Sequence, residues 1–294
     1  MSDFGKVLTA MVTPFDEFGK IDINKVKYLA NYLVNNGSDG IVVSGTTGES
    51  PTLTEDEKLK LFETVLTEVG HKVTVIAGTG SNNTTASLQL SKKAESIGMH
   101  GVMLVAPYYN KPSQEGLYRH FNHIAQEINI PVMLYNVPSR TMTNVLPDTV
   151  VRLSQLENIV AIKEASGDMD QVSTLQNKLP KDFSIYSGDD SLTLPMLALG
   201  CQGVVSVASH IVGKDIHEMI NNFLAGNVSE AVAIHSRLFK LFKALFITTN
   251  PVPVKTALNL MGFDLGDFRL PLIEATPSER ELIKQSLIDL GRIE

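Results

Sequence analysis

The 294-residue sequence predicts an α/β fold: a (β/α)₈ barrel over residues 1–210 with a C-terminal helical extension over residues 211–294, packed together as one structural domain. Three observations point there. Eight short apolar runs recur, each followed by a segment with helical spacing. Most of the runs are apolar on both faces, as parallel strands covered by helices should be. No glycine-rich nucleotide loop follows the first run, although an open doubly wound sheet, the structural alternative, usually shows one there. Gly78-Thr79-Gly80 begins like such a loop, but Asn83 stands where its third glycine is needed.

The runs cover residues 7–13, 40–45, 74–79, 101–107, 131–138, 159–166, 184–188 and 203–209. After the first, Asp22 caps a helix that carries Val26, Leu29, Ala30 and Leu33 on one face, and Gly37 ends it. After the second, Thr54 and Glu57 form a capping box ahead of Leu61, Phe62, Val65, Leu66 and Val69, with Gly70 as the stop. Ser113 opens the helix after the fourth run, with Leu117, Phe121, Ile124 and Ile128 as its stripe. The seventh and eighth units are compressed. Beyond Ile211 the pattern turns wholly helical. Ala231, Ile234, Leu238, Leu241, Phe242 and Leu245 form one stripe. Thr276, Pro277 and Glu279 start another helix, backed by Leu282, Ile283, Leu287 and Leu290.

Composition excludes several classes. Apolar residues are 43% and charged residues 19%, ordinary for a globular chain. The net charge of −7 is scattered, without the basic stripe that nucleic acid requires. No window approaches a membrane span, and the segment from Met1 to Met11 carries Asp3 without a basic, then apolar, leader pattern, so no signal peptide is expected. Cys201 is the single cysteine, which fits a cytoplasmic location. The seven histidines form no HExxH or Cys/His cluster. His120 and His123 share a helix face but lack an acidic partner at metal spacing, so no metal site is expected. Nor does any cofactor motif appear. Asp3-Phe4-Gly5 resembles a kinase triplet, without the other kinase motifs.

In a barrel of this class the active site lies at the C-terminal ends of the strands. There the sequence places Thr46 and Thr47, Tyr108 and Tyr109, Tyr135, Arg140, Lys163, and the Gly188-Asp189 pair. Lys163 is pivotal. It follows Ile159-Val160-Ala161-Ile162, an apolar setting for an ammonium. Strand alternation puts residues 159, 161 and 163 on one face, so Lys163 points inward if Ala161 does. Desolvation there lowers a lysine pKa, which is what imine chemistry requires. The plainer alternative is a buried lysine paired with Glu164 or Asp189. Tyr135, ending the neighbouring run, can relay protons. Thr46 and Thr47 offer hydroxyls and backbone N–H groups in a glycine-flanked turn suited to a small carboxylate. Arg140 can grip a second carboxylate bidentately or make a surface salt bridge.

The chain resembles the dihydrodipicolinate synthase family along essentially its whole length. The resemblance rests on Gly45-Thr46-Thr47-Gly48-Glu49-Ser50, on residues 106–117, on Tyr135-Asn136-Val137-Pro138-Ser139-Arg140-Thr141, on Lys163, on Tyr186-Ser187-Gly188-Asp189-Asp190 and on Arg269-Leu270-Pro271-Leu272. It implies a lyase that condenses pyruvate with L-aspartate 4-semialdehyde to 4-hydroxy-tetrahydrodipicolinate, the committed step of lysine biosynthesis by the diaminopimelate route. By similarity Lys163 forms the imine. Thr46, Tyr109 and Tyr135 match the proton relay, with Tyr109 contributed to a neighbouring subunit. Thr47 holds the pyruvate carboxylate and Arg140 that of the semialdehyde. Gly188 and Val205 line the pyruvate pocket. A homotetramer built as a dimer of dimers is implied. Lysine-inhibited members bind the inhibitor with histidine and glutamate side chains, where this chain has Lys58 and Ala86. Weak or absent inhibition by lysine follows. The alternatives are an N-acetylneuraminate lyase or 2-keto-3-deoxy sugar acid aldolase using the same lysine, and a metabolite-binding barrel without catalysis.

Overall fold

Eight strands close in chain order: β1 (Val7–Ala10), β2 (Gly40–Val43), β3 (Thr74–Gly78), β4 (Gly101–Val105), β5 (Val132–Asn136), β6 (Ile159–Glu164), β7 (Ser184–Ser187) and β8 (Gly203–Ser206). Every neighbouring pair is parallel, and β8 returns to pair with β1, so the sheet is a closed barrel rather than an open one. This computed structural model describes residues 4–294; Met1, Ser2 and the Asp3 of the kinase-like triplet lie outside them.

Helices α1 (Ile23–Asn35), α2 (Glu55–Val69), α3 (Thr84–Ile97) and α4 (Gln114–Gln126) follow the first four strands. After β5 come a single turn α5 (Pro138–Thr141) and α6 (Pro147–Leu153), then α7 (Met169–Lys178) after β6. The compressed seventh unit has only a 3₁₀ turn and the short α8 (Thr193–Ala198). The remaining helices are α9 (Ser209–Leu224), α10 (Val228–Ala244), α11 (Val252–Leu260) and α12 (Pro277–Asp289). The expected punctuation is realised. The Asp22 carboxylate accepts from the N–H groups of Asn24 and Lys25. Thr54 and Glu57, like Thr276 and Glu279, form reciprocal capping boxes. Asn83, which spoils the glycine-loop pattern, caps α3 by accepting from the Ala86 N–H.

Two apolar layers result. Alternate strand residues such as Leu8, Val42, Ile76, Met103, Met133 and Ala161 fill the barrel, while the other face packs beneath the helices. The alternation breaks in one place. Val132 pairs with Ile159 but Met133 pairs with Ala161, so β6 carries one extra residue, Val160. Such a bulge flips the preceding side chain. Ile159 therefore joins the outer layer, and the expectation that it shares a face with Ala161 and Lys163 is corrected. From Ala161 onward the alternation holds, and Lys163 does point inward, toward the strand ends.

Two further expectations change. Helix α9 packs on β1, α1 and α8 and completes the helical ring, so the ring runs past residue 210, with non-helical geometry at Val212 (φ −126°, ψ 34°) marking a kink near the α9 start. On α12, Ile283 and Leu287 are buried but Leu282 faces solvent, because the helix contacts α10 and α11 along a narrow strip.

Candidate active site

The mouth is built from the residues that end the strands. Beyond β2, Gly45 to Ser50 forms a tight turn in which Gly48 N–H and Ser50 N–H both donate to the Gly45 carbonyl. Glu49 adopts a left-handed conformation, φ 56°, to close it. A non-glycine residue in that region needs outside support. It comes from the far end of the chain. The fully buried Lys255 of α11 places its Nζ 3.2 Å from Glu49 Oε1 and 2.6 Å from the Asp267 carbonyl oxygen, and it lies 4.3 Å from the Phe15 ring centre. The Arg269 N–H donates to Glu49 Oε2 at 3.1 Å. The turn that presents Thr46 and Thr47 is thus clamped by the C-terminal extension.

Tyr135 and Lys163 are Cα partners on β5 and β6, and the lysine Nζ sits 4.3 Å from the tyrosine ring centre. Both are buried. Neither proposed carboxylate neutralises the ammonium. Glu164 is engaged by Asn136, Gln171 and the Ser166 N–H, and Asp189 by Ser191. Burial is the main cause that lowers the Lys163 pKa to about 8; the Asp190 charge opposes it and Arg140 adds to it. Asp190 is itself held by the Ser206 hydroxyl and the Val207 and Ala208 N–H groups. At pH 7 a pKa of about 8 leaves about a tenth of the amine neutral, whereas the free-lysine value leaves on the order of one part in 2,500. Burial also pushes the Tyr135 phenol up, against Arg140 and a hydrogen bond with Thr46, which keeps it protonated and able to donate.

A cavity of about 200 Å³ joins these groups: Thr46, Thr47, Tyr135, Arg140, Lys163 and Gly188 all line it. Its size suits a ligand of a few heavy atoms. Gly188 is there for space. A Cβ at this position would lie 2.6 Å from the Ala165 Cβ and 3.1 Å from the Lys163 Cε. A second chamber of about 240 Å³ shares the Thr46, Tyr135 and Arg140 walls and extends to Tyr108 and Lys58. Lys58 is half-buried there, its pKa lowered chiefly by desolvation.

Val205 is buried inside the barrel, and Val207, not Val205, lines the cavity. Tyr109, expected to serve a neighbouring subunit rather than its own, does not line this chain's cavity; it is 88% exposed, at φ 73°. Sequence reading missed Asn250, Phe246 and Val207, which complete the lining. Asn250 and Phe246 belong to the segment around α10 and α11, whose helical pattern carries no strand-end signal. His120 is no ligand. It is buried, its Nδ1 contacts the Thr84 hydroxyl at 2.9 Å, and burial brings its pKa down to about 4. Among the described residues no His, Cys, Asp or Glu group is placed to hold a metal ion.

Comparison with known proteins finds relatives along nearly the whole chain. Residues 3–289 match the profile described as the dihydrodipicolinate synthetase family. A 4-hydroxy-tetrahydrodipicolinate synthase of Desulforamulus reducens is 62% identical over 98% of both chains. One from Desulforudis audaxviator is 58% identical over 96% of both. Among solved structures, dihydrodipicolinate synthase from Bacillus anthracis superposes with a TM-score of 0.96 at 53% identity, covering 98% of this chain and 99% of that one. The lysine-bound enzyme of Cyanidioschyzon merolae gives 0.98 at 47% identity, with 99% of each chain covered.

Proposed function

The chain belongs to the dihydrodipicolinate synthetase family, and from that premise we propose how its own residues carry out the reaction. It is a lyase of amino-acid biosynthesis that condenses pyruvate with L-aspartate 4-semialdehyde to 4-hydroxy-tetrahydrodipicolinate. The relatives named above carry the synthase name, not that of a sugar-acid aldolase.

The neutral Lys163 amine adds to the pyruvate ketone carbon, and the carbinolamine loses water to give an imine. Removal of a proton from the methyl carbon gives an enamine. The enamine carbon attacks the aldehyde carbon, whose oxygen takes up a proton. The semialdehyde's own amino group then attacks the imine carbon, closes the ring and releases Lys163. Tyr135, hydrogen-bonded to Thr46, moves the protons. The Thr47 hydroxyl and turn amides hold the pyruvate carboxylate, and Arg140 takes that of the semialdehyde. One observation carries this reading: Lys163 is a buried ammonium without a carboxylate ion pair among the described residues, 4.3 Å from the Tyr135 ring, in a cavity with room for pyruvate.

Tyr109 completes the relay across a subunit boundary. An exposed phenol at positive φ, on a rim that also exposes Met142 and Leu146, supports such a contact, and a homotetramer assembled from dimers accommodates it. Among the described residues no helix is long and apolar enough to cross a membrane. Cytoplasmic residence fits the buried Cys201, whose thiol is pushed up to about 12 by burial and is inert.

The experiment is borohydride reduction in the presence of pyruvate, followed by peptide mapping by mass spectrometry. A pyruvate-derived adduct on Lys163 is expected. Folded protein that gives no adduct would overturn the mechanism and favour a binding barrel.

A further inference from the structure

Thr47 and Arg140, the two residues assigned to substrate carboxylates, meet a third that the mechanism above does not use. Asn250, ahead of α11, is buried and lines the same cavity. Its side-chain Nδ2 donates to Thr47 Oγ1 at 2.9 Å. Its main-chain carbonyl oxygen accepts from Arg140 Nη2 at 3.3 Å. Its Oδ1 is buried without a hydrogen-bond partner, so the contact to Thr47 is the one hydrogen bond this side chain makes among the described residues.

A threonine hydroxyl carries one hydrogen and two lone pairs. The Asn250 amide occupies a lone pair and presents no acceptor to Thr47, so the hydroxyl hydrogen must point elsewhere. A hydroxyl whose hydrogen is turned toward another acceptor offers a carboxylate only lone pairs, which repel it. With its hydrogen released, Thr47 is a donor on the cavity wall.

We propose that Asn250 is a positioning residue for both substrates: its side chain fixes the Thr47 hydroxyl as a donor to the pyruvate carboxylate, and its main-chain oxygen holds Arg140 for the second carboxylate. The inference rests on the roles given above to Thr47 and Arg140. The two functions belong to different atoms of Asn250, so substitution separates them. Truncating the side chain removes the contact to Thr47 and keeps the carbonyl that meets Arg140.

The test is steady-state kinetics of Asn250→Ala, Thr47→Val and the double variant, each checked for folding by its thermal transition. Asn250→Ala should raise the pyruvate KM about threefold to tenfold, the worth of one net hydrogen bond. Its kcat and semialdehyde KM should stay within about twofold, a split that a merely structural role would not produce. Thr47→Val should raise the pyruvate KM about tenfold or more, because its hydrogen bond meets a charge. In that background Asn250→Ala should add nothing. An unchanged pyruvate KM in Asn250→Ala, or full additivity with Thr47→Val, overturns the inference while the Thr47 assignment stands. An unchanged pyruvate KM in Thr47→Val instead removes the Thr47 assignment and the inference with it. Asn250→Asp keeps the shape and replaces the donor by an acceptor. It should raise the pyruvate KM more than alanine does, and it serves where the alanine variant fails to fold; a parental value again overturns the inference.

Discussion

The Lys163 ammonium lies 4.3 Å from the centre of the Tyr135 ring, across a directly paired position of β5 and β6. The strand register therefore sets nucleophile and proton carrier side by side, and burial of the pair lowers the lysine and raises the phenol. Both shifts favour the neutral forms that imine formation uses.

Activity should follow the Lys163 proton. Its pKa is brought down to about 8, and the neutral amine is the nucleophile, so kcat/KM for pyruvate should climb with pH and level off above about 8. Stability should move the same way. The folded chain releases protons from Lys163 and Lys255 near pH 8, whereas their ordinary value is 10.5, so the unfolded chain binds more protons in between. Urea titrations at pH 8 and pH 9.5 should show the higher midpoint at the higher pH. From about pH 9 the Cys201 thiol, pushed up to about 12 by burial, works in the opposite direction but against two lysines, and above about pH 10 the buried Tyr135 phenol joins it.

Replacing Lys163 by Met should abolish turnover yet raise the thermal midpoint by about 2 °C or more, since a buried ammonium without a carboxylate ion pair among the described residues is exchanged for an apolar chain of similar length. Differential scanning calorimetry of the two proteins measures it. An equal or lower midpoint would show that the ammonium is well compensated.

Gly188→Ala should cost at least about 100-fold in kcat/KM, because displacing the nucleophile by about an ångström has that effect. The added Cβ would meet Lys163 Cε at 3.1 Å and Ala165 Cβ at 2.6 Å. Near-parental activity in a folded variant would show that Lys163 has room to yield.

The Glu49–Lys255 pair should behave as a unit, so that losing one partner costs more than the pair itself contributes. Lys255→Met leaves Glu49 charged in a fully buried position and should destabilise by about 3–5 kcal/mol. Glu49→Gln combined with Lys255→Met should lose less than the sum of the two single changes. Chemical denaturation of the four proteins closes the cycle.

Lysine should inhibit weakly or not at all. Lys58 puts an ammonium into the side chamber, and Ala86 leaves the exposed first turn of α3 without a carboxylate, both unfavourable for a ligand that carries two ammonium groups and a net positive charge. A steady-state assay with low-millimolar lysine decides; strong inhibition there would contradict the expectation.

Local pattern by itself determined the βα rhythm, the caps at Asp22, Thr54, Ser113 and Thr276, and the strand ends where chemistry gathers. Those signals act over a few residues, as periodicity and capping do, and the strand ends that carry Thr46, Tyr135, Arg140 and Lys163 show them. Tertiary structure alone decided three things. The bulge at Val160 exists only in the pairing of β5 with β6, so alternation along β6 misplaced Ile159. The fold, not the local pattern, put Val207 and Phe246 on the cavity wall. The clamp on the Thr46–Thr47 turn comes from Asn250 and Lys255, about 200 positions downstream. Hydrogen bonds of that span leave no local period for a sequence to display. The closed barrel, by folding the extension back over its own mouth, brings those residues together.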